Sequence, residues 1–183
     1  MSNSVQPHMP TTIPQLLNKA EPYVMHIDLN SCFAIIEQQA NRLLRGRPVG
    51  VAAYDTPRGF VLAASYEAKA HGVKLGVNVE QSRSMAPGIV VMTPDPAKYR
   101  EAHRLFKQVL LEYSPDVAAK SIDEFVLDMS ASTALRNMKN EIRNKRSIAV
   151  RDSNLAEKLQ VHNQVMLQIG RDIKAKIRQL LAE

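Results

Sequence analysis

Tyr23-Val24-Met25-His26-Ile27-Asp28-Leu29-Asn30-Ser31-Cys32-Phe33-Ala34 alternates strictly over its first eight positions. Tyr23, Met25, Ile27 and Leu29 share one face, while Val24, His26, Asp28 and Asn30 share the other. A period of two with one apolar face describes a half-buried strand, and Asp28 stands at its open end. Asn30 or Ser31 is suited to cap a helix starting just beyond the strand. Phe33, Ile36, Ala40 and Leu43 then recur at helical spacing until Arg45-Gly46-Arg47-Pro48 stops the helix. Asp28 is therefore expected at a strand-to-helix junction.

Two short strands are expected next, Val49 to Tyr54 and Phe60 to Ser65, joined by the turn Asp55-Thr56-Pro57-Arg58-Gly59. Tyr66 to Ala70 and Val79 to Met85 read as short helices, the first with Gly72 beyond its end, the second stopping before Pro87-Gly88. A strand from Ile89 to Met92 precedes a surface helix from Tyr99 to Tyr113 whose apolar positions are Leu105, Val109 and Leu110. Val117 to Asp128 reads as two extended pieces around a tight Ser121-Ile122-Asp123-Glu124 bend. Adjacent strand residues point to opposite faces, so Asp123 and Glu124 serve one site only where the chain turns or bulges. After Met129 the periodicity is lost until about Asn154. Val161, Val165, Ile169, Ile173, Ile177 and Leu181 then repeat every four residues, the mark of a long amphipathic helix.

Residues 1–21 are polar and carry Pro7, Pro10 and Pro14, so a flexible tail is expected there. The whole chain has 183 residues, 45% hydrophobic and 23% charged, which suits a folded domain with a core and argues against disorder. No apolar run approaches the ~20 residues that a membrane-spanning helix needs, and no membrane association is expected. A single cysteine, Cys32, and an N-terminus without an apolar signal core point to a reducing, cytoplasmic setting. The net charge of +6 hints at a polyanionic partner. Much of that charge lies between Arg136 and Arg151, where six basic residues face only Glu141. This stretch reads as a solvated insertion of about 130–156, or as an arm touching nucleic-acid phosphates through residues such as Arg143, Lys145 and Arg146.

Three carboxylates carry the chemistry: Asp28 at the end of one apolar strand, and Asp123 with Glu124 interrupting another. Unpaired carboxylates near a core are costly unless a cation neutralises them. Oxygen-only donors suit Mg²⁺, with Mn²⁺ as a substitute, rather than zinc, and the five histidines are scattered. Two such ions about 4 Å apart would activate a 3′-hydroxyl and stabilise a pyrophosphate leaving group. The free N–H groups of the helix that starts near Ser31 favour an anion such as a triphosphate.

Asp28-Leu29-Asn30-Ser31-Cys32-Phe33-Ala34, Ala64-Ser65-Tyr66-Glu67-Ala68-Lys69 and Ser121-Ile122-Asp123-Glu124, in that order and spacing, resemble the N-terminal motifs of Y-family translesion DNA polymerases, near the DNA polymerase IV branch. The resemblance covers roughly Tyr23 to Asp128. It implies that Asp28, Asp123 and Glu124, with the Leu29 carbonyl, bind two catalytic Mg²⁺ ions. It also implies that Ser31, Cys32, Phe33, Ser65, Tyr66 and Lys69 bind the nucleotide, Phe33 acting as an aromatic gate against the ribose 2′-hydroxyl. Deoxynucleoside triphosphates and a DNA primer-template are the implied partners. A sliding clamp is a further partner for a full-length protein, although no clamp motif is recognised in the chain. Lys69 stands where the family often has arginine, keeping the charge but losing bidentate phosphate geometry. Cys32 stands at a position that is usually aromatic.

The expected fold is α+β: a palm-type antiparallel sheet with helices on one face and carboxylates on the other, plus a small fingers subdomain. The expected division is a first palm part at 22–47, fingers at 48–96, and a second, incomplete palm part at 97–183. No thumb or little finger can be recognised. The function implied is template-directed nucleotidyl transfer in lesion bypass. A truncated, non-catalytic paralogue that binds nucleotide, DNA or a protein partner stays open beside it, as does another two-metal palm enzyme such as a nucleotide cyclase.

Overall fold

In the computed structural model, which describes residues 20–145 and 155–182, the alternating stretch forms strand β1, Val24–Asp28. Strand β1 pairs antiparallel with β6, Glu124–Asp128, and β6 pairs antiparallel with β5, Asp116–Ala119, in the order β1-β6-β5. The register sets Met25 opposite Leu127 and Ile27 opposite Phe125, so the apolar members of both strands fall on one face. Leu127 and Phe125 are fully buried there.

That face is covered by helices, as a two-layer α+β arrangement requires. Helix α1, Cys32–Ala40, supplies Cys32 and Ile36 to the core. It ends sooner than the apolar spacing suggests: Asn41 leaves the helical region and its side chain accepts from the Leu43 N–H to start a short 3₁₀ turn, Arg42–Leu44, which buries Leu44 and leaves Leu43 exposed.

A second sheet follows, order β3-β2-β4, from Val49–Ala52 (β2), Val61–Ala64 (β3) and Val90–Met92 (β4). Strand β2 pairs antiparallel with β3 and parallel with β4, and α2, Tyr66–Ala70, and α3, Val79–Met85, lie between β3 and β4 in the chain. Val61, Ala64, Ala68, Val73, Ala86 and Ile89 form a small core separate from the main one, as a distinct fingers unit would. The β2–β3 turn depends on Gly59, where a Cβ would lie 1.9 Å from the Tyr54 carbonyl oxygen. Gly72, at φ +87°, ends α2 in the left-handed conformation that favours glycine.

Helix α4, Pro96–Leu111, begins earlier than its apolar spacing implies, because Asp95 caps it through the Ala97 and Lys98 N–H groups and Pro96 occupies the first turn. Its buried face is Tyr99, Ala102, Phe106 and Leu110, whereas Leu105 and Val109 are only half-buried. A residue-type pattern weighted to aliphatics misses a stripe built on a tyrosine, an alanine and a phenylalanine.

The aperiodic insertion is corrected by α5, Thr133–Lys145. Ser132 caps this helix by accepting from the Leu135 N–H at 3.0 Å, while its hydroxyl donates to the Tyr113 carbonyl. Leu135 is buried and Met138 and Ile142 pack beside it at helical spacing, so a three-residue apolar stripe holds the helix despite its basic remainder. Leu135→Ala is accordingly expected to cost about 2–5 kcal/mol in urea unfolding. A change below about 0.5 kcal/mol, the usual effect of a surface position, would mean the helix does not dock.

The last helix, α6, Leu155–Ala182, buries Val161, Val165, Ile169, Ile173 and Ile177 as the fourfold repeat anticipates, and also His162. The tail expected at 1–21 lies outside the described residues up to position 19. Glu21 does not behave as tail: Tyr23 Oη donates to it at 2.6 Å and Lys139 Nζ at 2.9 Å, and His162 Nδ1 lies 3.0 Å away. The Tyr23 hydrogen bond, ahead of Lys139, holds the Glu21 carboxyl below its ordinary range.

Candidate active site

Strand pairing decides where the carboxylates go. Asp28 lies directly opposite Glu124 in the register. The neighbouring pair Leu29 and Asp123 is joined by Leu29 N–H to Asp123 O at 3.0 Å, so Asp28 and Glu124 form a non-hydrogen-bonded pair. In such pairs the Cα atoms approach to about 4.5 Å and side chains are closest. Both point away from the helices. Asp123 belongs to the bend expected from the sequence: Lys120 N–H and Ser121 N–H both donate to the Glu124 carbonyl, at 2.8 and 3.3 Å, turning the chain back just before β6. The Asp123 N–H does not return a bond to Leu29 but faces Ser121 Oγ at 3.4 Å, which leaves the Leu29 carbonyl without a donor among the described residues.

The side chains have local partners. Ser121 Oγ donates to Asp123 Oδ1 at 2.7 Å, and His26 Nε2 lies 2.7 Å from Glu124 Oε1. Asp28 has no ion-pair partner among the described residues, and within them no three acid, histidine or cysteine side chains converge as a ready metal cluster. The electrostatics nevertheless converge on one atom. The Cys32 thiol is pushed up to about 12, first by burial and then by the charges of Asp123 and Asp28.

The resulting pH dependence has a definite sign. The unfolded chain releases the Cys32 proton near the ordinary 9.0 and the folded chain only near 12, so between them the unfolded state holds fewer protons. Stability contributed by the neutral thiol is complete below the lower value and falls by about 1.4 kcal/mol per pH unit above it. Urea unfolding of the wild type against Cys32→Ala should therefore show a steeper alkaline decline in the wild type; parallel profiles would mean that the Cys32 thiol is not raised in the folded chain.

Ser31 departs from its expected role. It sits at φ 59°, left-handed for a non-glycine residue, its side chain caps nothing, and its hydroxyl is buried without a partner. A strained backbone and an orphaned oxygen at one residue are costly unless something else uses them. The first N–H groups of α1, at Cys32, Phe33 and Ala34, lack intrahelical acceptors and come immediately after. Polar donors thus open beside the Asp28 carboxylate and the Leu29 carbonyl, a donor set that fits hard cations carrying a polyphosphate.

Phe33 rests on a partner that the sequence did not single out. Its ring stacks on Tyr99 with centroids 4.4 Å apart and planes 10° from parallel. Tyr99 Oη donates to Glu37 Oε1 at 2.8 Å, and Lys98 Nζ meets Glu37 Oε2 at 2.6 Å. Glu37 is 1% exposed, and both of its oxygens are occupied, as a buried carboxylate requires. Burial first, and then the Glu37 bond, raise the Tyr99 hydroxyl well above its ordinary range. The only sequence signal was a glutamate inside the apolar spacing of α1.

Ser65 is fully buried; its hydroxyl accepts from Val49 N–H at 3.1 Å and Ala68 N–H at 3.3 Å, so it caps α2 and aims Tyr66. Tyr66 is exposed, with Lys69 Nζ 5.8 Å from its ring centroid. Gln38 of α1 donates to the Arg47 carbonyl and to Glu67 Oε2, both at 2.9 Å, fastening α2 to the helix that bears Phe33. Tyr66, Asp28, Leu29 and Asn30 line one open cleft of about 1130 Å³ whose lining also includes Arg171 and Lys174 of α6. Arg143 and Lys145 fall on the last turn of α5, which packs on the face of the sheet opposite the carboxylates, and Arg146 lies outside the described residues.

Residues 27–181 match the family model described as impB/mucB/samB. DNA polymerase IV 1 of Bacillus subtilis is 40% identical over 108 residues, covering 58% of this chain and 26% of that protein. DNA polymerase IV of Streptomyces coelicolor is 34% identical over 119 residues, covering 65% and 25%. Among solved structures, a Dbh ternary complex superposes with a TM-score of 0.56 at 28% identity, over 68% of this chain and 36% of that one. DinB from Sulfolobus solfataricus superposes with a TM-score of 0.57 at 28% identity and the same coverage. The chain thus spans about a quarter of the length of these two curated relatives.

Proposed function

This chain belongs to the impB/mucB/samB family, and on that footing we propose that it carries the metal- and triphosphate-binding part of a Y-family, DNA polymerase IV-like translesion polymerase. The observation that carries the reading is the pairing of Asp28 with Glu124, with Asp123 fastened beside them through Leu29. Asp28, Asp123, Glu124 and the Leu29 carbonyl would hold two Mg²⁺ ions, or Mn²⁺ in their place. Such ions, when bound, acidify a primer 3′-hydroxyl and neutralise the charge that develops on the triphosphate. The α1 N–H groups from Cys32 and the Ser31 hydroxyl bind phosphate oxygens. Tyr66 and Lys69 close on the triphosphate from the fingers, and Phe33 lies against the sugar to exclude a 2′-hydroxyl.

The domain division proposed is palm at 22–47 and 97–183, with fingers at 48–96. The substrates proposed are deoxynucleoside triphosphates and a DNA primer-template, with Arg143, Lys145 and Arg146 as phosphate contacts. The lone Cys32 supports a cytoplasmic setting, and among the described residues no helix is long and apolar enough to cross a membrane. A sliding clamp belongs to this reading only for a longer protein.

A second reading rests on one observation: Glu124 and Asp123 are engaged by His26 and Ser121 rather than gathered as ligands. It makes the chain a module that binds nucleotide or DNA without turnover. Primer extension with Mg²⁺, alongside fluorescence anisotropy with the same labelled primer-template, separates the two. Extended product supports the polymerase; binding without extension supports the module. Cyclic product from a lone triphosphate would favour a cyclase over both.

A further inference from the structure

The peptide unit that joins Ile122 to Asp123 is gripped at both ends by side chains. At one end His103 Nδ1 lies 2.9 Å from the Ile122 carbonyl oxygen. At the other the Asp123 N–H faces Ser121 Oγ at 3.4 Å, a long and local contact. A carbonyl only accepts, so Nδ1 carries the proton and His103 is the donor. The His103 ring is itself fixed: it stacks on Phe125, centroids 4.9 Å apart and planes 20° from parallel, and Phe125 is fully buried next to Glu124. On α4 His103 stands one turn beyond Tyr99, so a single helix face supports the ring beneath Phe33 and the bend that bears Asp123.

The backbone-to-backbone bonds of this bend belong to the strand ladder. Leu29 N–H holds the Asp123 carbonyl, and Lys120 N–H holds the Glu124 carbonyl. Those would survive the loss of His103 and keep the hairpin paired. The Ile122 carbonyl would not: His103 is its donor, and without it the peptide that leads into Asp123 keeps only the long contact from its N–H to Ser121 Oγ.

We propose that His103 is a positioning residue: by holding the Ile122 carbonyl it fixes the peptide that carries Asp123, and so sets how readily Asp123 and Glu124 take up a divalent cation. This role rests on the metal-binding reading of the site. Groups that orient a ligand in this way typically contribute about 10–100-fold to metal affinity.

His103→Phe keeps the stack on Phe125 and removes the donor. His103→Asn removes the ring but keeps an N–H donor near the position of Nδ1. The probe is Mn²⁺ alone, its binding followed by loss of the free-ion electron paramagnetic resonance signal, together with amide resonances of Asp123 and Leu29. His103→Phe should weaken Mn²⁺ binding about tenfold and shift the Asp123 amide while leaving that of Leu29 in place, and His103→Asn should recover most of the loss. Wild-type affinity in His103→Phe, or an equal loss in His103→Asn, would overturn the proposal. If His103→Phe does not fold, His103→Leu, which also lacks a donor, takes its place: binding about tenfold weaker than wild type supports the role and wild-type affinity refutes it. Asp123→Asn keeps the two levels apart. Its loss of Mn²⁺ binding upholds the metal reading whatever His103 does; full binding in Asp123→Asn would remove that reading and the His103 role together.

Discussion

Asp28→Asn and Asp123→Asn, introduced separately into a primer-extending polypeptide that contains this domain, are each expected to lower extension by about 10³-fold, or about 4 kcal/mol of transition-state stabilisation. Asparagine keeps the shape and one acceptor oxygen, so the Ser121 contact at 2.7 Å can be retained at position 123. What is lost is a negative oxygen facing a hard cation. The same substitutions separate function from stability. Asp28 stands directly opposite Glu124, and like charges so placed oppose folding by about 0.2–1 kcal/mol. Asp28→Asn should therefore raise the urea midpoint while it lowers extension. A variant that lost both would point to a structural carboxylate, and one that lost neither would remove Asp28 from the site.

Phe33→Ala is expected to raise ribonucleotide incorporation relative to deoxyribonucleotide by about 10–200-fold, the range in which a shape-selective pocket discriminates small groups. The cause is mechanical. A ring excludes a hydroxyl only if it cannot retreat, and Phe33 is backed by Tyr99 at 4.4 Å, whose hydroxyl is anchored to the buried Glu37. Competition between a ribonucleotide and its deoxy counterpart on one primer-template measures the ratio directly. An unchanged ratio with intact extension would assign Phe33 to packing alone.

Much of this was legible in the residues. The period-two alternation from Tyr23 to Asn30 placed β1 and its buried face, because a half-buried strand must put its apolar set on one side. The bend at Ser121 to Glu124 was required because adjacent carboxylates diverge on a regular strand, and the double acceptance by the Glu124 carbonyl supplies it. Other features had no local signal. Helix α5 hid behind its charge, since three apolar residues at helical spacing are few and Ser132, its cap, is an ordinary serine in sequence. The left-handed Ser31 could not be read because nothing in its neighbours demands a positive φ. Tyr99, Glu37 and His103 act across the fold, on residues 62, 62 and 19 positions away along the chain, and spacing rules see only near neighbours. Cys32 showed in sequence only as the lone cysteine at a position that is usually aromatic, while the height of its thiol pKa needed its burial first and then the positions of two carboxylates.

The central claim is that Asp28, Asp123 and Glu124 hold two divalent cations against a bound triphosphate. Anomalous scattering from Mn²⁺ in crystals grown with a non-hydrolysable deoxynucleoside triphosphate tests it most directly. Two Mn²⁺ peaks between these carboxylates and the phosphates, reached also by the Leu29 carbonyl, are the expected result. A triphosphate bound with no Mn²⁺ at Asp28 and Asp123, or with its ions held elsewhere, would contradict it.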